Sequence, residues 1–247
     1  MIIFSFDIDW APEPVIEDVL KHLNEYNIAG TFFATHHSNV LKQVERQGIH
    51  EIGIHPNFNP LLMGQAGHYQ KVINDLLEMY PSTVGIRSHS LAHSCPMLIY
   101  CLEKNLQYDS NIYIPFGTNI KAFDYFGLTR IPYNWEDDGQ WVAGRSFDNC
   151  SLDLNAELNI FSFHPIHIYL NTPNQAMYDN VKQYYQVPEE LLKRRNDNVP
   201  GTRDLFLSLL DHCKKNNVYT LTLKQYNNFL RRHPESLMNT PIPHTGL

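Results

Sequence analysis

FSFDIDW, Phe4 to Trp10, is the stretch on which the rest of the chain turns. Ile2, Ile3, Phe4, Ser5 and Phe6 make a short, mostly apolar run of the kind found in strands buried on both faces. Two carboxylates, Asp7 and Asp9, follow at its end. Side chains two apart on a strand share a face and lie about 7 Å apart, so the pair is expected to point together. A buried, unpaired carboxylate costs several kcal/mol. A cation, an arginine or a metal ion must therefore sit against this pair.

Outward from this strand, apolar periodicity alternates between strand and helix. Pro12 and Pro14 suit the start of a helix that carries Val15, Ile16, Val19, Leu20, Leu23 and Tyr26 on one face. Gly30–Thr35 reads as a second strand, and Ser38 caps a helix that Gly48 closes. His50–His55 reads as a third strand, residues 66–80 as a helix, and a fourth strand runs into Arg87. Pro96 stands near the start of the next helix. Later strands are expected near Tyr108–Tyr113, Leu128–Tyr133, Asn159–His164 and Tyr219–Leu223, with helices over Arg203–Lys215 and Lys224–Arg232. Residues 114–158 and 166–201 read as long loops, and Pro234–Leu247 as an extended tail. Seven or eight strands with helical connections predict a single α/β barrel domain over residues 1–247.

Composition narrows the function. A chain of 247 residues with 43% hydrophobic residues can bury one large core. The net charge of −7, without a basic run, argues against nucleic-acid binding by phosphate neutralisation. No stretch approaches 18 uninterrupted apolar residues, so no membrane span is expected. Met1 leads directly into an apolar strand, and Cys95, Cys101, Cys150 and Cys213 show no CxxC spacing. Both features suit free thiols in a cytoplasmic protein. Nothing in the pattern speaks for a particular oligomeric state.

In such barrels chemistry collects at the carboxyl ends of the strands. Asp7 and Asp9, His36 and His37, His55, Arg87 and His89, and His164 with His167 all fall there. His22, His68 and His212 are carried on helices and read as solvated or core-edge residues. A carboxylate with imidazoles suits zinc, iron or cobalt and leaves room for a water that becomes acidic enough to attack an acyl carbon. Asp9 is the candidate ligand, Asp7 the base, Arg87 the group that holds Asp7 ionised, and His164 the acid for a departing amine. That constellation describes hydrolysis of an amide or ester.

Here the motifs resemble those of the polysaccharide deacetylases of the NodB-homology type, carbohydrate esterase family four. FSFDID (4–9), HEIGIH followed by PNFNP (50–60), GIRSHS (85–90), QYDSN (107–111) and FSFHP (161–165) follow the order of the family's motifs. The HPNFNP and RSHS versions look most like the WbmS-like branch of surface-polysaccharide (O-antigen, lipopolysaccharide) biosynthesis. The resemblance implies a distorted (β/α)7 barrel, a divalent metal (zinc, with Mn, Fe and Co as alternatives), and removal of an N-acetyl group from a sugar. It makes Asp7 the base, Asp9 and His55 ligands, Arg87 the partner of the base, and His164 the acid.

The chain departs from the family pattern at its second metal histidine, where Asn59 stands four residues after His55. Asn59 as an oxygen ligand, His89 as a replacement nitrogen ligand, and a site without metal are all open. The first motif is also Asp-x-Asp where adjacent aspartates are commoner. Trp10, His36, Trp135 and His167 are candidates for binding the sugar, Trp135 being equally a loop anchor. Glu136 and Asp138 lie beside it, and His89 with His93 has the spacing of a helical metal pair. A non-catalytic carbohydrate-binding barrel and a metal amidohydrolase for a small non-sugar amide are the alternative functions.

Overall fold

The structure, a computed structural model, describes residues 1–239. In chain order it comprises β1 (Ile2–Asp7), α1 (Glu13–Tyr26), β2 (Gly30–Ala34), α2 (Asn39–Gln47), β3 (Glu51–Ile54), α3 (Asn59–Leu62), α4 (Tyr69–Met79) and β4 (Gly85–Ile86). There follow α5 (Cys95–Glu103), β5 (Tyr108–Asp109), β6 (Phe123–Tyr125), β7 (Leu128–Arg130), β8 (Trp135–Glu136), α6 (Asp137–Val142) and β9 (Asn159–Phe163). The last elements are α7 (Pro165–Leu170), α8 (Gln175–Val181), α9 (Pro188–Leu192), α10 (Thr202–Lys215), β10 (Thr220–Leu221) and α11 (Leu223–Arg232).

The strands form one sheet in the order β6-β7-β5-β4-β3-β2-β1-β9-β8, parallel except for the β6–β7 hairpin. β1 is central. One of its edges pairs with β9 along Ile2–Phe6, while the other takes β10 at Ile2 and Ile3 and β2 from Phe4 onward. The two sides of the sheet meet through one stretch of chain. β7 pairs with β5, a bridge joins Tyr113 to Tyr133, Asn134 N donates to Ile160 O, and β8 pairs with β9. The expected (β/α)7 barrel is therefore present, with residues 128–136 serving as a single distorted strand handed from one neighbour to the other.

Period-two alternation in β1 sorts its side chains. Ile2, Phe4 and Phe6 pack outward with residues of α1 and α10 in one core, whereas Ile3 joins Phe33, Tyr108, Tyr133 and Ile160 inside the barrel. β9 repeats the rule: Phe161 and Phe163 face out and Ile160 faces in. Close approach of two interior rings explains Gly53 and Gly85. A Cβ on Gly53 would lie 2.6 Å from the Phe33 ring, and one on Gly85 2.1 Å from the Tyr108 ring.

Helix boundaries follow their local signals. Ser38 Oγ accepts from Leu41 N at the start of α2, and Gly48 ends it at φ 69°. The regions read as long loops contain more structure than their pattern announces: β6, β8 and α6 in the first, α7, α8 and α9 in the second. These elements are only two to seven residues long, too short to display a period. Pro234–Ser236 forms a 3-10 turn, and Met238 N donates to Ala122 O. The rest of the expected extended tail, from residue 240, lies outside the described residues. No helix among the described residues is long and apolar enough to cross a membrane.

Candidate active site

β1 and β9 carry nearly the same word, FSFD at 4–7 and FSFH at 161–164. Their register places Phe4 beside Phe161, Ser5 beside Ser162 and Phe6 beside Phe163. The inward series Ser5, Asp7 and Ser162, His164 is thereby brought together at the carboxyl ends of the two central strands. Arg87, just past β4, lies across the barrel interior and is wholly enclosed. Its Nη1 donates to Ser5 Oγ (3.0 Å), Asp7 Oδ1 (3.0 Å) and Ser162 Oγ (2.8 Å). Nε donates to Ser110 O and Nη2 to Ser110 Oγ. The guanidinium plane lies between the Phe33 and Tyr133 rings, 4.5 and 4.4 Å from their centres.

Asp9 does not lie on the strand. β1 stops at Asp7, and Asp9 and Trp10 adopt left-handed conformations at φ 43° and 60°. Against the expectation that the acidic pair shares a strand face, a turn, not strand alternation, aims Asp9. Residues far along the chain hold that turn. Tyr185 Oη donates to Asp9 O, Gln186 Nε2 donates to Trp10 O (2.9 Å), and Trp10 N donates to Thr35 Oγ1 (3.0 Å). Such backbone strain needs surrounding structure to sustain it.

Asp9 is the hub of an imidazole cluster. Its Oδ1 lies 3.2 Å from His55 Nε2 and 3.0 Å from His89 Nδ1, and its Oδ2 lies 3.7 Å from His164 Nε2. Burial alone would raise the Asp9 pKa; the hydrogen bonds to His55 and His89 and the charge of His164 instead hold it well below the usual carboxylate range. The bond to Asp9 raises the His89 pKa, outweighing the effect of burial. His89 N donates to Pro56 O, which ties the turn after β4 to the loop after β3.

Asp9, His55 and His89 each offer one ligand atom, and the three atoms lie within 4.8 Å of one another. His55 Nδ1 is buried without a hydrogen-bond partner, 3.9 Å from Asp7 Oδ1. One carboxylate and two imidazoles form a donor set that fits zinc, iron or cobalt. Asn59 directs its side-chain amide elsewhere, donating to Ser90 Oγ at 3.0 Å. His93 is not paired with His89 on a helix; its Nδ1 sits 2.9 Å from Leu91 O.

His164 caps α7, and Asp137 fixes it twice. Asp137 Oδ2 accepts from His164 N and Oδ1 from His164 Nδ1, both at 2.7 Å. Burial by itself would lower the His164 pKa, but Asp137, Asp138 and Asp9 drive it well above the ordinary histidine value. Asp7, Glu136 and His164 also bring ligand-type atoms within 4.8 Å of one another. Burial pushes the Glu136 carboxyl up to about 7, with His164 opposing the shift and Asp7, Asp138 and Asp137 adding to it.

The four residues expected to bind a sugar separate. Trp10 is 39% exposed at the rim, its ring edge-on to His89. His36 is half-buried beside it, bonded through Thr35 Oγ1, which also receives Trp10 N. Trp135 is fully buried among Phe147, Phe161 and Phe163, with Nε1 donating to Gln140 Oε1. Its strand position turns it outward into the core, so it is corrected from a stacking surface to an anchor. His167 is buried, with Nε2 3.2 Å from Asp138 Oδ1 and the Trp141 and Tyr178 rings edge-on to it. Asp137, Tyr178 and Tyr185 join the site from outside the sequence motifs. Asp137 had a findable signal, an acidic residue directly after a short strand, while the tyrosines lie in a stretch without period.

The WbmS-like polysaccharide deacetylase family profile matches residues 4–182. Among solved structures, a protein from Bordetella bronchiseptica assigned as a polysaccharide deacetylase involved in O-antigen biosynthesis (WbmS) is 34% identical. That match covers 85% of this chain and 90% of the other, with a TM-score of 0.81. A protein from Mycobacterium smegmatis assigned as a polysaccharide deacetylase is 18% identical with a TM-score of 0.59, covering 100% and 94%. The peptidoglycan deacetylase PdaC of Bacillus subtilis is 13% identical with a TM-score of 0.53, covering 95% and 93%. The last two share the fold. No curated protein matches the chain.

Proposed function

The chain belongs to the WbmS-like family of polysaccharide deacetylases, and from that premise we propose that it hydrolyses an N-acetyl group of a surface-polysaccharide sugar, with Asp7 as base and His164 as acid. The observation that carries this reading is the meeting of both residues, one on β1 and one after β9, beside the Asp9–His55–His89 triad. A divalent metal held by that triad, zinc being our first choice, would supply a Lewis acid for the acetyl carbonyl and a more acidic attacking water.

The protein's own groups do the proton work. Asp7 is kept in place by Arg87, which donates to Oδ1, while Oδ2 accepts only a long hydrogen bond from Ser162 Oγ (3.4 Å) and is the oxygen assigned to take the proton of the attacking water. As the C–N bond of the amide breaks, His164 Nε2 gives its proton to the departing nitrogen. Acetate and a free amino sugar result. Asp137 holds the opposite ring nitrogen, which fixes the tautomer and keeps the imidazole charged before transfer. Trp10 and His36 at the rim are the proposed sugar contacts, with His167 deeper in the pocket.

The non-catalytic alternative drew its motive from Asn59; His89 supplies the third donor and favours the enzyme. Four free cysteines among the described residues suit the cytoplasm, where a nucleotide- or lipid-linked sugar would be the substrate.

Acetate release from acetylated sugars, nucleotide sugars and small acetylated amides tests the reading. Release confined to small amides would replace the sugar by another substrate class. Asp7→Asn is expected to retain bound metal and lose turnover by about 10²–10⁴-fold. Full activity in Asp7→Asn would sink the role assignment.

A further inference from the structure

We propose that Asp138, His164 and His167 form a second divalent-cation site, adjoining the Asp9–His55–His89 triad. We further infer that filling it withdraws the proton-bearing nitrogen of His164. This consequence rests on the acid role assigned to His164 above.

One oxygen of Asp138 and one nitrogen each of His164 and His167 lie within 4.8 Å of one another. Bonds of about 2.0–2.2 Å to a transition-metal ion span such a cluster with small side-chain adjustments. Both imidazoles are already aimed. His164 Nδ1 is held by Asp137 Oδ1 at 2.7 Å, and His167 Nδ1 lies 3.2 Å from Thr172 Oγ1. An oxygen partner on one ring nitrogen is what orients the other toward a metal. The free Nε2 atoms face carboxylates: His167 toward Asp138 Oδ1 at 3.2 Å, His164 toward Asp9 Oδ2 at 3.7 Å.

Two observations point to a ligand between these groups. Asp138 Oδ1 is itself enclosed although its side chain is 45% exposed, and His167 Nε2, which faces it at 3.2 Å, does not meet it in hydrogen-bond geometry. His167 is buried with the Trp141 and Tyr178 rings edge-on at 4.7 and 4.6 Å, so it is packed where it stands. Asp9 stands between the two clusters, with Oδ1 toward His55 and His89 and Oδ2 toward His164. Two nitrogens and a carboxylate oxygen select zinc, iron or cobalt over magnesium or calcium.

A cation there occupies the lone pair of His164 Nε2, and that nitrogen then carries no proton for a leaving amine. Low metal activates and excess metal silences the same enzyme.

Zinc binding to the full chain, by calorimetry and by elemental analysis after dialysis, tests this in wild type, His89→Gln and His167→Gln. Wild type is expected to bind two zinc ions, and each variant one. Scaled to each protein's own maximum, activity is expected to rise and then fall with zinc in wild type and to rise to a plateau in His167→Gln, whatever that variant's absolute rate. If His167→Gln fails to fold, Asp138→Asn takes its place, since the Asp138 side chain is 45% exposed. A single zinc in wild type that persists in His167→Gln overturns the second site and leaves the triad standing. A single zinc that persists in His89→Gln but not in His167→Gln supports the Asp138 site and sinks the triad.

Discussion

Arg87 Nη1 donates to Asp7 Oδ1 at 3.0 Å inside the barrel, where the guanidinium is wholly shielded from water. The ion pair is embedded in a set of hydroxyl and carbonyl acceptors and sandwiched by two aromatic rings, so both charges are compensated. Replacing Arg87 by Met leaves Asp7 buried without its partner. The expected cost is about 3–5 kcal/mol of folding stability, together with loss of activity. Urea denaturation measures it; an unchanged midpoint would contradict the pairing. Arg87→Lys keeps the charge but loses the planar fork, and should still unfold earlier than wild type.

His89 and Asn59 make opposite predictions for metal affinity. Removing an imidazole from the triad in His89→Ala should weaken zinc binding by more than about 100-fold, exceeding the 10–100-fold typical of residues that merely support ligands. Asn59→Ala should bind zinc nearly as wild type does, because its amide is engaged with Ser90. Competition with a chromogenic chelator ranks the two. A larger loss in Asn59→Ala would reverse the ligand assignment.

Two tryptophans differ in what they support. Trp10→Ala removes an exposed ring at the rim and is expected to raise KM with little change in melting temperature. Trp135→Ala opens a cavity among Phe147, Phe161 and Phe163 and strands Gln140 Oε1, at an expected cost of about 3–5 kcal/mol. Thermal melts beside Michaelis–Menten curves separate the two effects. A raised KM in Trp135→Ala at unchanged stability would return that ring to the pocket.

His50 links stability to pH at the opposite end of the barrel. Its Nδ1 accepts from Gly30 N at 3.1 Å and its Nε2 lies 3.2 Å from Asn24 Oδ1, so the neutral ring is satisfied. Burial pushes its pKa down to about 4 from 6.5. Between these values the unfolded chain takes up a proton that the folded chain refuses. Stability should thus be unaffected above pH 6.5 and fall by about 1.4 kcal/mol per pH unit as pH drops toward 4. His50→Gln lacks this increment, and the difference between the two denaturation curves isolates it. Parallel curves from pH 7 to pH 4 would remove His50 from the account.

Much of the barrel was legible along the chain because its causes are local. Buried strands appear as short apolar runs, helices as a 3.6-residue stripe, and caps as Ser38 and Gly48 at their ends. Asp7, Arg87 and His164 were singled out because a polar residue ending an apolar strand is conspicuous. The pairing of FSFD with FSFH was also written there, as two alike segments 157 residues apart, though only the register set them side by side.

Tertiary structure decided what no period encodes. Asp9 is aimed by a left-handed turn braced from Tyr185 and Gln186, not by the strand it follows. That His89 faces Asp9 while Asn59 turns to Ser90 depended on how the turn after β4 leans on Pro56, and the burial of Trp135 on which way a two-residue strand faces. Periodicity is a property of neighbours in sequence, whereas these placements are set by contacts between segments distant in sequence, up to 176 residues apart, whose geometry exists only once the barrel has closed.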